Sequence, residues 1–377
     1  MFDYRERRDR LGSQMEHQGV DLLFVPPSGD LEYLTGMQRR VVTFGEIAYT
    51  HGWVGGAFLK PGEEPVFVLP RMTAEFDLPE GVPGDVVIVS ESDDGPAVFS
   101  QVARRLGPVS RLAIGARTWG ETVMHLLASL GQPELVNGGD LVNRLRRVKS
   151  PDELAALGRA CRMADDVMAA VSDRVVPGVT ELDLAAEVSH AILRQGSRAV
   201  SFDTGVWQMG PHDDRDATVR VSAQPLRAGT GVSFDFGAVA DGYCSDFGRT
   251  IHVGEPDAEY VKVYELVMAA QAAGVAAVRR GATAADVDRA TRQVIADGGY
   301  GEWFRHRTGH CIGLDVHEKP YISEEDETPL EAGMTFTIEP SVFWPGRVGV
   351  RVEDIVVCDV EGGRKLNTYP TDLVANT

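Results

Sequence analysis

The stretch VSFDFGAVADGYCSDFGRTI, residues 232–251, decides how the C-terminal part of this chain folds. Asp241-Gly242 is a two-residue hairpin turn signal, because both positions tolerate the positive φ such a turn needs. Closing the chain there sets Gly237 opposite Asp246, with Asp235 two residues further along its strand. Residues two apart share a face. Asp235 and Asp246 therefore become diagonal neighbours, with Cβ atoms roughly 7–8 Å apart. Two carboxylates that close, on an otherwise apolar hairpin, repel each other unless one is protonated or cations bridge them. From the hairpin alone, the alternative is a pair of solvent-facing aspartates near a turn.

Two further segments point the same way. His306-Arg-Thr-Gly-His310-Cys-Ile-Gly313 is followed by His317-Glu318, so three of the nine histidines fall between 306 and 317. The glycines among them let backbone approach a site closely. TFTIEP (335–340) and VGVRVEDIVV (348–357) read as strands by alternation, and each places a glutamate, Glu339 or Glu353, within an apolar stretch. Burying a lone carboxylate is costly. Two of them in adjacent strands call for a common cation. Arg351 shares a strand face with Glu353 and could form a salt bridge, but one arginine does not neutralise both glutamates. Four carboxylates and one imidazole form an oxygen-rich donor set suited to two divalent ions, and a metal pair about 3.5–4 Å apart can bridge a hydroxide and polarise a carbonyl. No cysteine cluster exists to build a tetrahedral structural zinc site.

Outside these segments the chain has the composition of an ordinary globular protein, with 43% hydrophobic and 25% charged residues in 377. That length suggests two domains. Residues 1–147 mix short apolar strands (Asp21–Val25, Asp85–Ser90, Arg111–Ile114) with helices, and Pro61-Gly62-Glu63-Glu64 turns a hairpin between Gly56–Leu59 and Pro65–Leu69. We expect a small α/β domain with a mixed sheet there. At 150–153, Ser-Pro-Asp-Glu combines an N-cap serine, a proline at N1 and a glutamate at N3, which starts a helix. Leu154, Leu157, Cys161, Ala164, Met168 and Val171 give that helix one apolar face. Thr180 and Thr283 open two more helices, with a long amphipathic one over 258–279 between them. Residues 148–377 should then place helices on a curved antiparallel sheet, so the whole chain is α+β.

The formal net charge of −19 counts against a nucleic-acid partner. A charged N-terminus without an apolar core, and no run of about 18 apolar residues, count against a signal peptide or membrane span. Four scattered cysteines fit reduced thiols and a cytoplasmic location.

The quoted residues resemble the pita-bread metallopeptidases: methionine aminopeptidase, aminopeptidase P and prolidase. That pattern is Asp, ten residues, Asp; then His in GHGIG; then Glu in IEP; then Glu in VRxED. Asp235, Asp246, His310, Glu339 and Glu353 fill it in order, with Cys311 where glycine is usual. YLTG (33–36) and the linker over 146–166 are similar to the prolidase and aminopeptidase P branch, which carries a creatinase-like N-terminal domain. The resemblance implies a creatinase-like domain over 1–147, a pita-bread catalytic domain over 148–377, and hydrolysis of short peptides at Xaa-Pro bonds by a metal-bridged hydroxide. It implies two divalent ions, Mn²⁺ first and Co²⁺, Fe²⁺ or Zn²⁺ as alternatives. Asp235 and Asp246 would share one ion, Asp246 would bridge toward His310, and Glu339 and Glu353 would complete the second site. Glu339 would be the general base, His317 would stabilise the tetrahedral intermediate, and His212 would contact the scissile amide. Arg351 would meet a substrate carboxylate or hold Glu353. A homodimer is implied as well.

The departures concern substrate. Val206-Trp-Gln-Met-Gly210 replaces the usual Asn-rich stretch, and Asp213 stands where a second His or Tyr is common. Two other readings keep the scaffold: a non-peptide substrate, as in creatinase-like C–N hydrolysis or a sulfonium lyase, and a non-catalytic binding scaffold. The complete ligand set argues against the last.

Overall fold

A computed structural model describes residues 2–39, 49–211 and 215–377. The chain divides into two compact units, Met1–Arg146 and Arg147–Thr377.

Among its described residues, the first unit holds one sheet of six strands: β1 (Leu22–Val25), β2 (Gly56–Leu59), β3 (Val66–Pro70), β4 (Asp85–Val89), β5 (Arg111–Ile114) and β6 (Glu134–Asn137). Their order is β4-β3-β2-β1-β5-β6. The β1–β2 and β2–β3 pairs are antiparallel and the other three parallel, so the sheet is mixed as expected. The 61–64 turn closes the hairpin, pairing Ala57 with Phe67. One face buries Phe24, Phe58 and Phe99, the last brought by the Gly95–Arg105 helix, with ring centroids 5.0–5.9 Å apart.

The second unit begins at the expected capped helix, Pro151–Val171. Ser150 Oγ accepts from Glu153 N, and Glu153 Oε2 accepts from Ser150 N. The other glutamate oxygen accepts from the Tyr243 hydroxyl at 2.7 Å, so one side chain ties the helix start to the central hairpin. Ser150→Ala is expected to cost about 1 kcal/mol. That should appear as a lower urea midpoint at constant m; an unmoved midpoint would show that the serine contributes nothing to the cap. Leu157, Cys161, Ala164, Met168 and Val171 are buried, as the spacing predicts.

Two larger sheets form this unit. In the first, β7 (Gly205–Met209), β8 (Thr230–Phe236), β11 (Phe247–Val253) and β19 (Val374–Asn376) lie in the order β19-β11-β8-β7, with β9 (Val239–Ala240) and β10 (Tyr243–Cys244) as the hairpin tip. In the second, β12 (Gly309–Cys311), β13 (Glu318–Ile322), β14 (Thr335–Ile338), β17 (Asp354–Asp359) and β18 (Gly362–Lys365) lie in the order β13-β12-β14-β17-β18. A separate ribbon pairs β15 (Ser341–Trp344) with β16 (Val348–Arg351). All pairings but β11–β19 are antiparallel. The Pro151–Val171 and Glu181–Arg194 helices share a core with Val232, Phe234, Phe236 and Phe247 of the first sheet. The Ala258–Ala277 helix packs on Val348 and Val350.

One strand expectation is corrected. Residues 348–357 are not a single strand: the chain leaves β16 after Arg351 and joins another sheet as β17 at Asp354. Each half has its own partner, β15 or β14, so Val352-Glu353 is the crossing point. Glu353 N donates to Gly248 O at 2.9 Å there, which joins the crossing to the first sheet.

Candidate metal centre

The hairpin turns where Asp241-Gly242 requires it. Both residues have positive φ, 50° and 85°, as the turn type demands. Gly248 pairs with Asp235 and Tyr243 with Ala240, the register the turn imposes. Gly237 sits where a Cβ would lie 1.9 Å from Ser245 O, so only glycine lets the two strands close beside the aspartates. Asp235 then projects from β8, and Asp246 from the link between β10 and β11.

The second sheet delivers the other three groups. His310 lies in β12, held against β14 by its N–H donating to Thr337 Oγ1 at 3.1 Å. Gly309 permits that approach, since a Cβ there would meet Thr337 O at 1.9 Å. Glu339 directly follows β14 and Glu353 directly precedes β17. The two strands pair Ile338 with Asp354, so the glutamates face each other one step beyond the ladder. Thr337 Oγ1 donates to Glu339 Oε1 at 3.1 Å.

All five side chains converge. His310 Nε2 lies 3.3 Å from Asp246 Oδ2 and 3.5 Å from Glu339 Oε1. Two overlapping sets bring donor atoms within 4.8 Å of one another: Asp235, Asp246 and Glu353, and Asp246, His310 and His317. Asp246 belongs to both. Glu353 stands with the two aspartates in the first set and also faces Glu339 across the strand pair. His317 joins the second set through its ring, 4.1 Å from that of His310.

Electrostatics show what this crowding costs. Burial, then the charges of Asp235 and Glu339, push the Asp246 carboxyl well above the ordinary range. Burial and the Asp246 charge do the same to Glu353. Burial would also raise Asp235, but Arg351 and Arg220 beside it hold it below. Arg351, itself 3% exposed, is the internal counter-ion: its Nη2 lies 2.8 Å from Asp235 Oδ1 and 3.0 Å from Glu353 Oε2, and its Nη1 3.7 Å from Glu339 Oε2. Even so, Asp246 Oδ1 is buried without a hydrogen-bond partner among the described residues. A buried anion left that way is costly, and a cation beside it removes the cost. The donors fit divalent metal ions: hard carboxylate oxygens, one imidazole and an orphaned oxygen at the shared residue.

Burial, then the charges of His310 and Arg307, lower His317 to about 4, so its ring is neutral at pH 7. Burial also lowers His306, whose Nε2 is 2.7 Å from Ser341 Oγ. His212 and Asp213 lie outside the described residues.

Arg220 escaped the sequence reading. It ion-pairs with Asp235 Oδ2 and belongs to an irregular segment with no periodicity to mark it. Trp207 was singled out only as a departure; its ring lies between 5.0 and 5.6 Å from the Arg220 and Arg351 guanidinium carbons.

Known proteins share both parts of this chain. Residues 155–359 match the metallopeptidase family M24, and residues 7–148 match the creatinase/prolidase N-terminal domain. A probable dipeptidase PepE of Mycobacterium tuberculosis is 37% identical over 94% of this chain and 92% of its own length. An Xaa-Pro dipeptidase of Pyrococcus furiosus is 28% identical over 98% of this chain and all of its own. Among solved structures, a prolidase from Thermococcus sibiricus superposes with a TM-score of 0.89 at 31% identity, covering 100% of both chains. On the matched residues and on these likenesses, the chain belongs to metallopeptidase family M24, with a creatinase/prolidase N-terminal domain ahead of its pita-bread domain.

Proposed function

We propose that this enzyme is a dinuclear metallopeptidase that hydrolyses short peptides at Xaa-Pro bonds. The observation that carries the reading is Asp246: buried, shared by both donor sets, and with one oxygen lacking a hydrogen-bond partner among the described residues. The Xaa-Pro preference is supported by relatives that bear that name and by the creatinase/prolidase domain.

Asp235, Asp246, His310, Glu339 and Glu353 would hold two divalent ions, with Mn²⁺ favoured by the oxygen-rich donors. Once bound, such ions polarise the scissile carbonyl and make water acidic enough to attack near neutral pH. Glu339 would take the proton of the attacking water and pass it to the leaving amine, as a general base then acid. The neutral His317 would donate a hydrogen bond to the oxyanion that develops on the carbonyl, and His212 would contact the scissile amide. Of the two roles expected of Arg351, holding Glu353 is the one its contacts support. The proposal includes a homodimer acting in the cytoplasm, without nucleic-acid or membrane partners. Among the described residues no helix is long and apolar enough to cross a membrane.

Metal analysis after Mn²⁺ reconstitution should give close to two ions per chain, and the loaded protein should cleave Xaa-Pro dipeptides faster than non-proline dipeptides. Metal content near zero would overturn the dinuclear reading. Equal rates on both peptide types would overturn the proline preference and favour the second reading, a different small substrate, which the unusual 206–214 segment supports.

A further inference from the structure

Asp235 carries two guanidinium groups on one carboxylate, and they are not equivalent. Arg351 approaches Oδ1 from inside the protein and also lies against Glu353 and Glu339. Arg220 approaches Oδ2 from outside, with half of its side chain exposed. Among the described residues its guanidinium carbon also lies over the Trp207 ring, 5.0 Å from the centroid. At Gly205, a Cβ would touch Asp235, Trp207 and Arg220 at 3.3–3.5 Å, so the three meet at one point on β7.

The segment bearing Arg220 is firmly placed. Val206 N donates to Arg220 O at 2.9 Å. Arg215 pairs with the buried Glu181 at 2.6 Å, and Arg305 pairs with Asp216 at 2.7 Å. Arg220 is therefore delivered to the rim by a built loop.

A divalent ion on Asp235 takes up the carboxylate lone pairs and repels nearby cations. Arg351, 3% exposed, stays enclosed among the carboxylates of Asp235, Glu339 and Glu353. Among the described residues the Arg220 guanidinium then keeps only the indole face, and its charge is released at the exposed edge of the centre. In a chain of net charge −19, an approaching anion meets repulsion unless a fixed cation receives it. A guanidinium matches a carboxylate in bidentate geometry, and the buried cluster of Trp207, Met209 and Phe343 backs it from the protein side.

We propose that Arg220 is a specificity-determining residue that receives a carboxylate of the substrate next to the metal centre. This inference rests on the dinuclear reading above. Substrates carrying a free carboxylate near the scissile bond are then preferred over their amides.

The test uses the full chain loaded with Mn²⁺, as wild type, Arg220→Gln and Arg220→Lys, acting on alanyl-proline and alanyl-proline amide. In Arg220→Gln the ratio of the KM for the acid to that for the amide should rise about tenfold, and Arg220→Lys should recover part of it. Calorimetric titration of the metal-free proteins, without substrate, should show Mn²⁺ binding about threefold or more tighter in Arg220→Gln, because Asp235 has lost a competing cation. A KM ratio that stays at the wild-type value, or Mn²⁺ affinity that does not rise, overturns the inference. Absence of Mn²⁺ binding in wild type overturns the dinuclear reading and this inference together. Two-ion binding with an unchanged KM ratio overturns this inference alone.

Discussion

In Asp246→Asn, peptide hydrolysis is expected to fall by at least about 10³-fold, while the metal-free protein becomes no less stable. The two effects have one cause. Asp246 is the anion common to both donor sets, so its loss weakens both proposed ion sites at once. In the metal-free fold the same carboxylate is a liability: burial, Asp235 and Glu339 raise its pKa well above the ordinary 3.8. A group whose folded pKa lies above its unfolded value contributes stability at low pH and loses it as pH rises. Metal-free wild type should therefore lose stability relative to the asparagine variant from about pH 4 upward. Thermal melts in chelator at pH 4.5 and 7 would show the gap widening. Added Mn²⁺ should stabilise wild type strongly through mass action and the variant little. Retained hydrolysis in the variant would place the reaction elsewhere.

Arg351→Met should act in the opposite direction on the metal-free protein. Arg351 is 3% exposed and lies against Asp235 and Glu353 at 2.8 and 3.0 Å. Removing one partner of a buried ion pair leaves an uncompensated charge and costs about 3–5 kcal/mol. Methionine keeps much of the volume, so the loss measures charge rather than packing. Mn²⁺ should narrow the gap, because bound cations take over the neutralisation. Chemical denaturation with and without Mn²⁺ measures both quantities; a variant as stable as wild type in chelator would show that Arg351 is not the internal counter-ion.

The contrast between these variants shows where sequence reading is strong. Asp241-Gly242 is a local signal, and the hairpin register follows from it because a two-residue turn leaves one pairing. The neighbouring placement of Asp235 and Asp246 was legible for that reason. The Pro151–Val171 helix was legible too, since its cap and apolar spacing are written within one segment. The break at Glu353 was not. Apolar residues flank Glu353-Asp354 on both sides from Val348 to Val357, and the separate partners of β16 and β17 split the segment. Arg220 was invisible because its role depends on a carboxylate from another strand.

What the sequence by itself determined is the chemistry on offer: four carboxylates and an imidazole, in an order that resembles one family of metallopeptidases, with a turn that forces two of them together. Only the tertiary structure decided how they are shared. It placed Asp246 in both donor sets, put Glu353 with the aspartates, and set one arginine inside the cluster and another at its rim. The physical reason is range. Turn and helix signals act between near neighbours in the chain, whereas the energy of a buried charge depends on every group around it, whichever strand supplies that group.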